Sequence, residues 1–180
     1  MKIIFRLVML AALIALGVWL WLVLFPSPEK VIHKRLVALA DTVSFSSSQG
    51  NLSRLAGAPN LGDFFSADVE VNIDVPGHVQ ERLMSRQEIV QAAMAARSTV
   101  AALKVKFPDI NITVAPDKQS AVADLTVEAR VSGQPDLIVQ EMKFTLRKTD
   151  GKWLVTRVET VRTLSIFHFE PSRFPSIVLT

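Results

Sequence analysis

The chain has 180 residues, 49% of them hydrophobic, with 20 basic residues against 17 acidic and no cysteine. A mean hydropathy of +0.32 is too apolar for an ordinary soluble domain and too dilute for a polytopic membrane protein. The absence of cysteine excludes disulfides, thiol nucleophiles and cysteine-ligated metals.

Both averages are blends. In residues 1–25 only Lys2, Arg6 and Gly17 are not hydrophobic, and Leu7–Phe25 runs for 19 residues without a charge. A helix of that length, at about 1.5 Å per residue, nearly crosses a hydrocarbon layer about 30 Å thick. Trp19 and Trp21 lie toward its far end, where indoles suit the headgroup level, and Pro26 and Pro28 stop it. A cleaved signal peptide has a shorter apolar region and small residues at the cleavage site, which Leu22–Ser27 lacks. Residues 1–25 are therefore expected to be a single-pass membrane anchor, with 26–28 a short linker. The bases flanking the stretch are nearly balanced. A short N-terminal tail before a lone anchor favours an extracytoplasmic domain, periplasmic in a bacterium, on the cytoplasmic (inner) membrane. Without Lys2 and Arg6, the remaining 155 residues hold 18 bases against 17 acids, so the pI of about 9.4 does not signal a nucleic-acid surface.

Beyond the anchor, Ile32, Leu36, Leu39 and Val43 recur at spacings of 4, 3 and 4, predicting an amphipathic helix over Glu29–Val43. Ser44–Asn51 is a break, Leu52–Ala56 a short helical turn, and Leu61, Phe64 and Phe65 another apolar turn. Val69, Val71, Ile73 and Val75 alternate with polar residues as a half-buried strand closed by Pro76-Gly77. Ser85-Arg86-Gln87-Glu88 has capping-box spacing and opens a helix whose slim face is Ile89, Ala92, Ala93 and Ala96. The rest reads as β structure. Ala101–Phe107 and Ile110–Val114 are split by Pro108, Ala121–Val131 is a long strand, and Val139–Lys148 leads to an Asp150-Gly151 hairpin and a return strand over Lys152–Thr163. Helices on one face of a mostly antiparallel sheet make an α+β domain. Leu164–Thr180 is an apolar tail that either packs on its own domain or binds a partner.

Three stretches carry a resemblance. Leu61–Val71 (LGDFFSADVEV), Ser85–Ala96 (SRQEIVQAAMAA) and Phe144–Val158 (FTLRKTDGKWLVTRV) resemble, in order, segments of the nuclear transport factor 2-like (SnoaL-like, cystatin-like) superfamily. The resemblance covers about Glu29–Thr163. It implies a curved sheet wrapped around helices as a cone with a pocket. It does not fix a function, because enzymes, transport factors and secretion-system parts share the fold. Inner-membrane assembly components of type IV secretion also place such a domain behind one N-terminal helix.

The candidate chemistry is narrow. His33, His78 and His168 are not at metal spacing, and no GxSxG or phosphate loop is present. Without tyrosine, the Tyr-plus-protonated-Asp oxyanion site that ketosteroid isomerase builds on this fold is excluded. Carboxylate acid–base chemistry remains. Simple alternation puts Arg157 and Glu159 on the same strand face as Trp153 and Val155. If that face lines the cone, Arg157, Glu159 and Asp68 are candidate pocket residues beside Trp153, Phe144 and Met142. The competing reading makes these charges cross-strand salt bridges on a solvated face, with Arg130, Glu128 or Arg147 as partners. Two functions follow. One is a non-catalytic, membrane-anchored binding or assembly module whose partner is the lipid bilayer and a membrane protein or a second copy. The other is a small-molecule binder or a carboxylate-dependent enzyme of the isomerase, dehydratase or hydrolase type. Neither calls for a cofactor or metal.

Overall fold

The structure is a computed structural model. It describes residues 27–48, 57–73, 81–134 and 136–167, with positions 14, 16 and 17, and side chains as far as Val161. Most of the Leu7–Phe25 stretch, the expected turn at Leu52–Ala56, the Pro76-Gly77 closure and the tail beyond Phe167 lie outside the described residues. Among the described residues no helix is long and apolar enough to cross a membrane.

Helix α1 spans Pro28–Val43, starting on a proline whose missing N–H costs nothing in the first turn. It buries Ile32, Leu36, Leu39 and Ala40. A 3₁₀ turn at Pro59–Phe64 leads into β1 (Phe65–Ile73), and a three-residue strand, β2 (Glu81–Leu83), precedes helix α2 (Arg86–Thr99). Strands β3 (Leu103–Lys106), β4 (Ile110–Val114), β5 (Ser120–Val131), β6 (Leu137–Thr149) and β7 (Lys152–Phe167) follow. The strand order is β2-β1-β7-β6-β5-β3, with β4 also on β5, and every pairing is antiparallel except β1 with β7. The fold is α+β with a curved mixed sheet.

The start of α2 bears out the capping-box spacing with one change. The Glu88 N–H donates to Ser85 Oγ at 3.2 Å, while the Glu88 carboxylate accepts from the Met84 N–H at 2.8 Å, one residue earlier than the usual partner. Of the expected apolar face, Ile89 and Ala93 pack on the core, but Ala92 faces solvent. The last turn instead buries Arg97, which is only 5% exposed.

Strands β3 and β4 are one interrupted strand. Lys106 pairs with Glu128 and Ile110 with Leu125, so Phe107, Pro108 and Asp109 stand opposite Thr126 and Val127 alone. In sequence the apolar residues switch from odd positions (Leu103, Val105, Phe107) to even ones (Ile110, Ile112, Val114). The extra residue at the bulge absorbs that switch and keeps both sets on one face.

Three arginines from the helices hold backbone carbonyls. Arg97 Nη2 donates to the Thr42 carbonyl at 2.5 Å, and its guanidinium lies over Phe45 at 5.4 Å. That carbonyl belongs to the last turn of α1, which has no basic residue of its own, so Arg97 supplies positive charge to the negative helix end. Gly57 stands against this guanidinium, where a Cβ would collide with Nη1. Burial lowers the pKa of Arg97, yet a guanidinium keeps its charge. Arg35 donates to the Asp63 carbonyl and lies 5.1 Å from the Phe64 ring centroid, and Arg86 donates to the Phe65 carbonyl at 3.0 Å.

Replacing Ser85 with Ala is expected to cost about 1 kcal/mol in a denaturant titration. Arg97→Met is expected to cost about 1–3 kcal/mol by orphaning a carbonyl at the end of α1. Arg97→Lys should recover only part of that loss, because an ammonium lacks the planar fork.

Candidate functional site

The inner face of the sheet is a packed core. Met142, Phe144 and Leu146 on β6, Ala121, Ala123 and Leu125 on β5, and Trp153, Val155 and Val158 on β7 close against Ile32, Leu36 and Leu39 of α1. Phe107 meets Phe144 edge-on at a centroid distance of 6.1 Å. Three of the six candidate pocket residues, Met142, Phe144 and Trp153, are thus core residues at 6%, 5% and 3% exposure. Among the described residues they pack into the core inside the cone, and Met142 also borders an open cleft. Gln140, next inward-facing residue on β6, is also buried.

The other three face outward. In β7 the register shifts by one residue opposite Thr145/Leu146: Val155 pairs with Leu146, and Arg157 with Thr145, leaving Thr156 as the extra residue. Simple alternation therefore fails after Val155. Val158, not Arg157, turns inward, while Arg157 and Glu159 join the outer face. Arg157 Nε lies 3.0 Å from Glu159 and 3.8 Å from Glu70, with all three side chains more than a third exposed. Its cross-strand partner is Glu70 of β1, not Glu128 of β5. Asp68 is exposed on β1, and among the described residues Arg157 pairs with Glu159 and Glu70 instead. The structure brings Arg157 and Glu159 together and separates both from the aromatic residues.

The outer face carries a charged row that single-strand reading does not reveal. Asn111, Asp124, Lys143, Glu159, Asn72 and Arg82 are successive partners across β4, β5, β6, β7, β1 and β2. Lys143 Nζ stands 4.0 Å from Asp124. Beside this row an open cleft of about 490 Å³ is lined by Asp109, Asp124 and Glu141, with Thr126, Met142 and Val161 among the other walls. A cleft with three carboxylates suits a cationic or hydroxyl-rich ligand. Among the described residues no group of three or more metal-ligating side chains is placed to hold an ion. A second cleft, of about 530 Å³, lies where α1 meets β3 and is lined by Phe45, Ala102 and Leu103 with Lys104 and Arg130 at its rim.

No family model matches the chain, and no curated protein matches it. Solved structures do. A proposed scytalone dehydratase from Novosphingobium aromaticivorans aligns at 17% identity and a TM-score of 0.56, over 79% of this chain and 89% of that one. A cystatin-like protein from Caulobacter vibrioides aligns at 18% identity and a TM-score of 0.55, over 73% and 87%. The yeast UBP3-associated protein BRE5 aligns at 14% identity and a TM-score of 0.57, over 78% and 99%. At these identities the likeness is one of fold, the cystatin-like fold.

If Thr156 is the extra residue of a bulge, deleting it should restore a continuous ladder, with Val155 and Val158 still inward and Arg157 still outward. A cooperative melting transition should survive the deletion, and its loss would show that Thr156 is not the extra residue. Arg157→Ala and Glu159→Gln, both on the open face, should each change stability by no more than about 1 kcal/mol.

Proposed function

We propose that the protein is a non-catalytic, single-pass membrane-anchored binding or assembly module, with its domain on the extracytoplasmic side of the cytoplasmic membrane. The observation that carries the non-catalytic half is the core packed inside the cone. Trp153, Phe144 and Met142 occupy the space in which a pocket enzyme would hold its substrate, and the charged candidates Asp68, Arg157 and Glu159 lie outside it. The anchor is supported by the uncharged Leu7–Phe25 stretch and by Ile14 and Leu16, which leave 60% and 57% of their surface uncovered by the domain. A tether raises the local concentration of a domain around other membrane components, which suits an assembly role. BRE5, a UBP3-associated protein by its name, offers an instance of this fold in a protein defined by an association.

A second reading, a small-molecule binder, draws on the carboxylate-lined cleft at Asp109, Asp124 and Glu141 and on the fold shared with a proposed scytalone dehydratase. A thermal-shift screen of cationic and polyhydroxylated compounds addresses it. A ligand whose stabilisation vanishes in D124N/E141Q favours this reading over the first.

Membrane fractionation tests the anchor. The full chain is expected to stay in the membrane pellet through alkaline carbonate washing, and a variant lacking residues 7–25 to appear in the soluble fraction with an unchanged melting temperature. Release of the full chain by salt alone would overturn the anchor.

A further inference from the structure

The domain has two ends, and α1 fixes which of them meets the anchor. At its C-terminal side, Phe45 and Leu103 exchange two backbone hydrogen bonds of 2.8 and 3.0 Å, which places the end of α1 beside the start of β3. At its N-terminal half, Arg35 grips Asp63 and Phe64, immediately before Phe65, which pairs with Val155 near the start of β7. The helix thus points its first residues toward the end of the sheet where β4 stops, β5 and β7 begin and β6 stops. Only Pro26 and Ser27 separate Pro28 from the uncharged stretch, a reach of roughly 11 Å at most.

That end of the domain is basic. Lys118 sits in the β4–β5 turn; Arg147, Lys148 and Lys152 flank the Asp150-Gly151 hairpin; Lys30 and Lys34 lie in the first two turns of α1. All six are exposed. The turns are joined through the Lys148 N–H, which donates to the Gln119 carbonyl at 2.7 Å. Glu29, Asp63, Asp117 and Asp150 are the acids in the same region, and Asp63 lies beside Arg35. Asp117 is engaged locally, accepting the N–H groups of Gln119 at 2.9 Å and Ser120 at 3.3 Å.

We propose that this basic end, centred on Lys118, Lys148 and Lys152, lies against anionic lipid headgroups and sets the orientation of the domain on the membrane. The proposal rests on the reading of residues 7–25 as an anchor. Each Lys or Arg near an anionic bilayer contributes about 1 kcal/mol of attraction, which several residues on one rigid end can sum into a preferred orientation. A second basic corner, Lys104, Lys106 and Arg130 beside Glu128, lies at the opposite end of the sheet. Chain continuity, not charge alone, selects between the two, and the second corner is an internal control.

The chain has no cysteine, so single labels are clean. Full-length protein carrying a fluorophore at Gln119→Cys or at Ser132→Cys is reconstituted in phosphatidylcholine vesicles with or without phosphatidylglycerol, with a headgroup spin-labelled lipid as quencher. Flotation is scored in parallel. Quenching at position 119 but not 132 is expected in phosphatidylglycerol vesicles. It should be lost in K118E/K148E/K152E, which still floats and melts as the parent, and lost at about 1 M salt, where screening shortens the Debye length to about 3 Å. Flotation with equal quenching at both positions, quenching at 132 alone, or none at either would overturn the orientation and leave the anchor standing. Failure of the full chain to float with either vesicle would overturn the anchor and the orientation with it.

Discussion

The register of β7 is the constraint on which the rest of the fold depends. This strand pairs with β1 on one side and β6 on the other, and it carries one more residue than β6 at each of three places. Extra residues on one strand bend it and strengthen its twist, so a long β7 against a straighter β6 curves the sheet around α1. The same shifts decide chemistry. One residue at Thr156 puts Val158 into the core and Arg157 out of it. A β7 that is apolar toward the core at Val155 and Val158 and charged outward at Arg157 follows from that placement.

The helices are fastened to this sheet by a different device. Apolar burial by Ile32, Leu36 and Leu39 sets how close α1 comes, but it is not directional. Arg35, Arg86 and Arg97 add direction, each reaching from a helix to a carbonyl of another segment. A planar, permanently charged donor is well suited to that task, because it satisfies a carbonyl while its face rests on an aromatic ring, as at Phe64 and Phe45.

Much of the architecture was legible in the sequence, and the misses share a cause. The periodicity of α1, the Ser85 cap and the Asp150-Gly151 turn are local signals, and each matches the structure; Asp150 and Gly151 have φ of 50° and 77°, as a tight hairpin of this kind requires. The grouping of Arg157 and Glu159 with Trp153 departs from the structure where locality ends. Alternation along β7 assumes a continuous ladder, and a bulge is invisible unless the apolar pattern itself changes parity. At Pro108 it does change, from odd to even positions, so that bulge could have been found. At Thr156 the change from Val155 to Val158 was present, but Arg157 and Glu159 kept the odd positions and masked it. The charged row from Asn111 to Arg82 and the burial of Arg97 are long-range products of register and helix packing, and neither has a signature within one segment.

The stitch between Phe45 and Leu103 has a consequence for how copies of the chain coexist. The outermost strands of a sheet offer unpaired backbone groups to any neighbouring molecule. Here one border is β2, three residues long, and the other is β3–β4, interrupted at Pro108 and bearing Lys104 and Lys106. The two bonds from Phe45 use up backbone groups at the start of that border. Among the described residues, β2 covers only Val71–Ile73 of β1, and the opposite border is interrupted and charged, a poor template for strand addition. Borders of this sort let copies of a domain meet through side chains without fusing into a shared sheet.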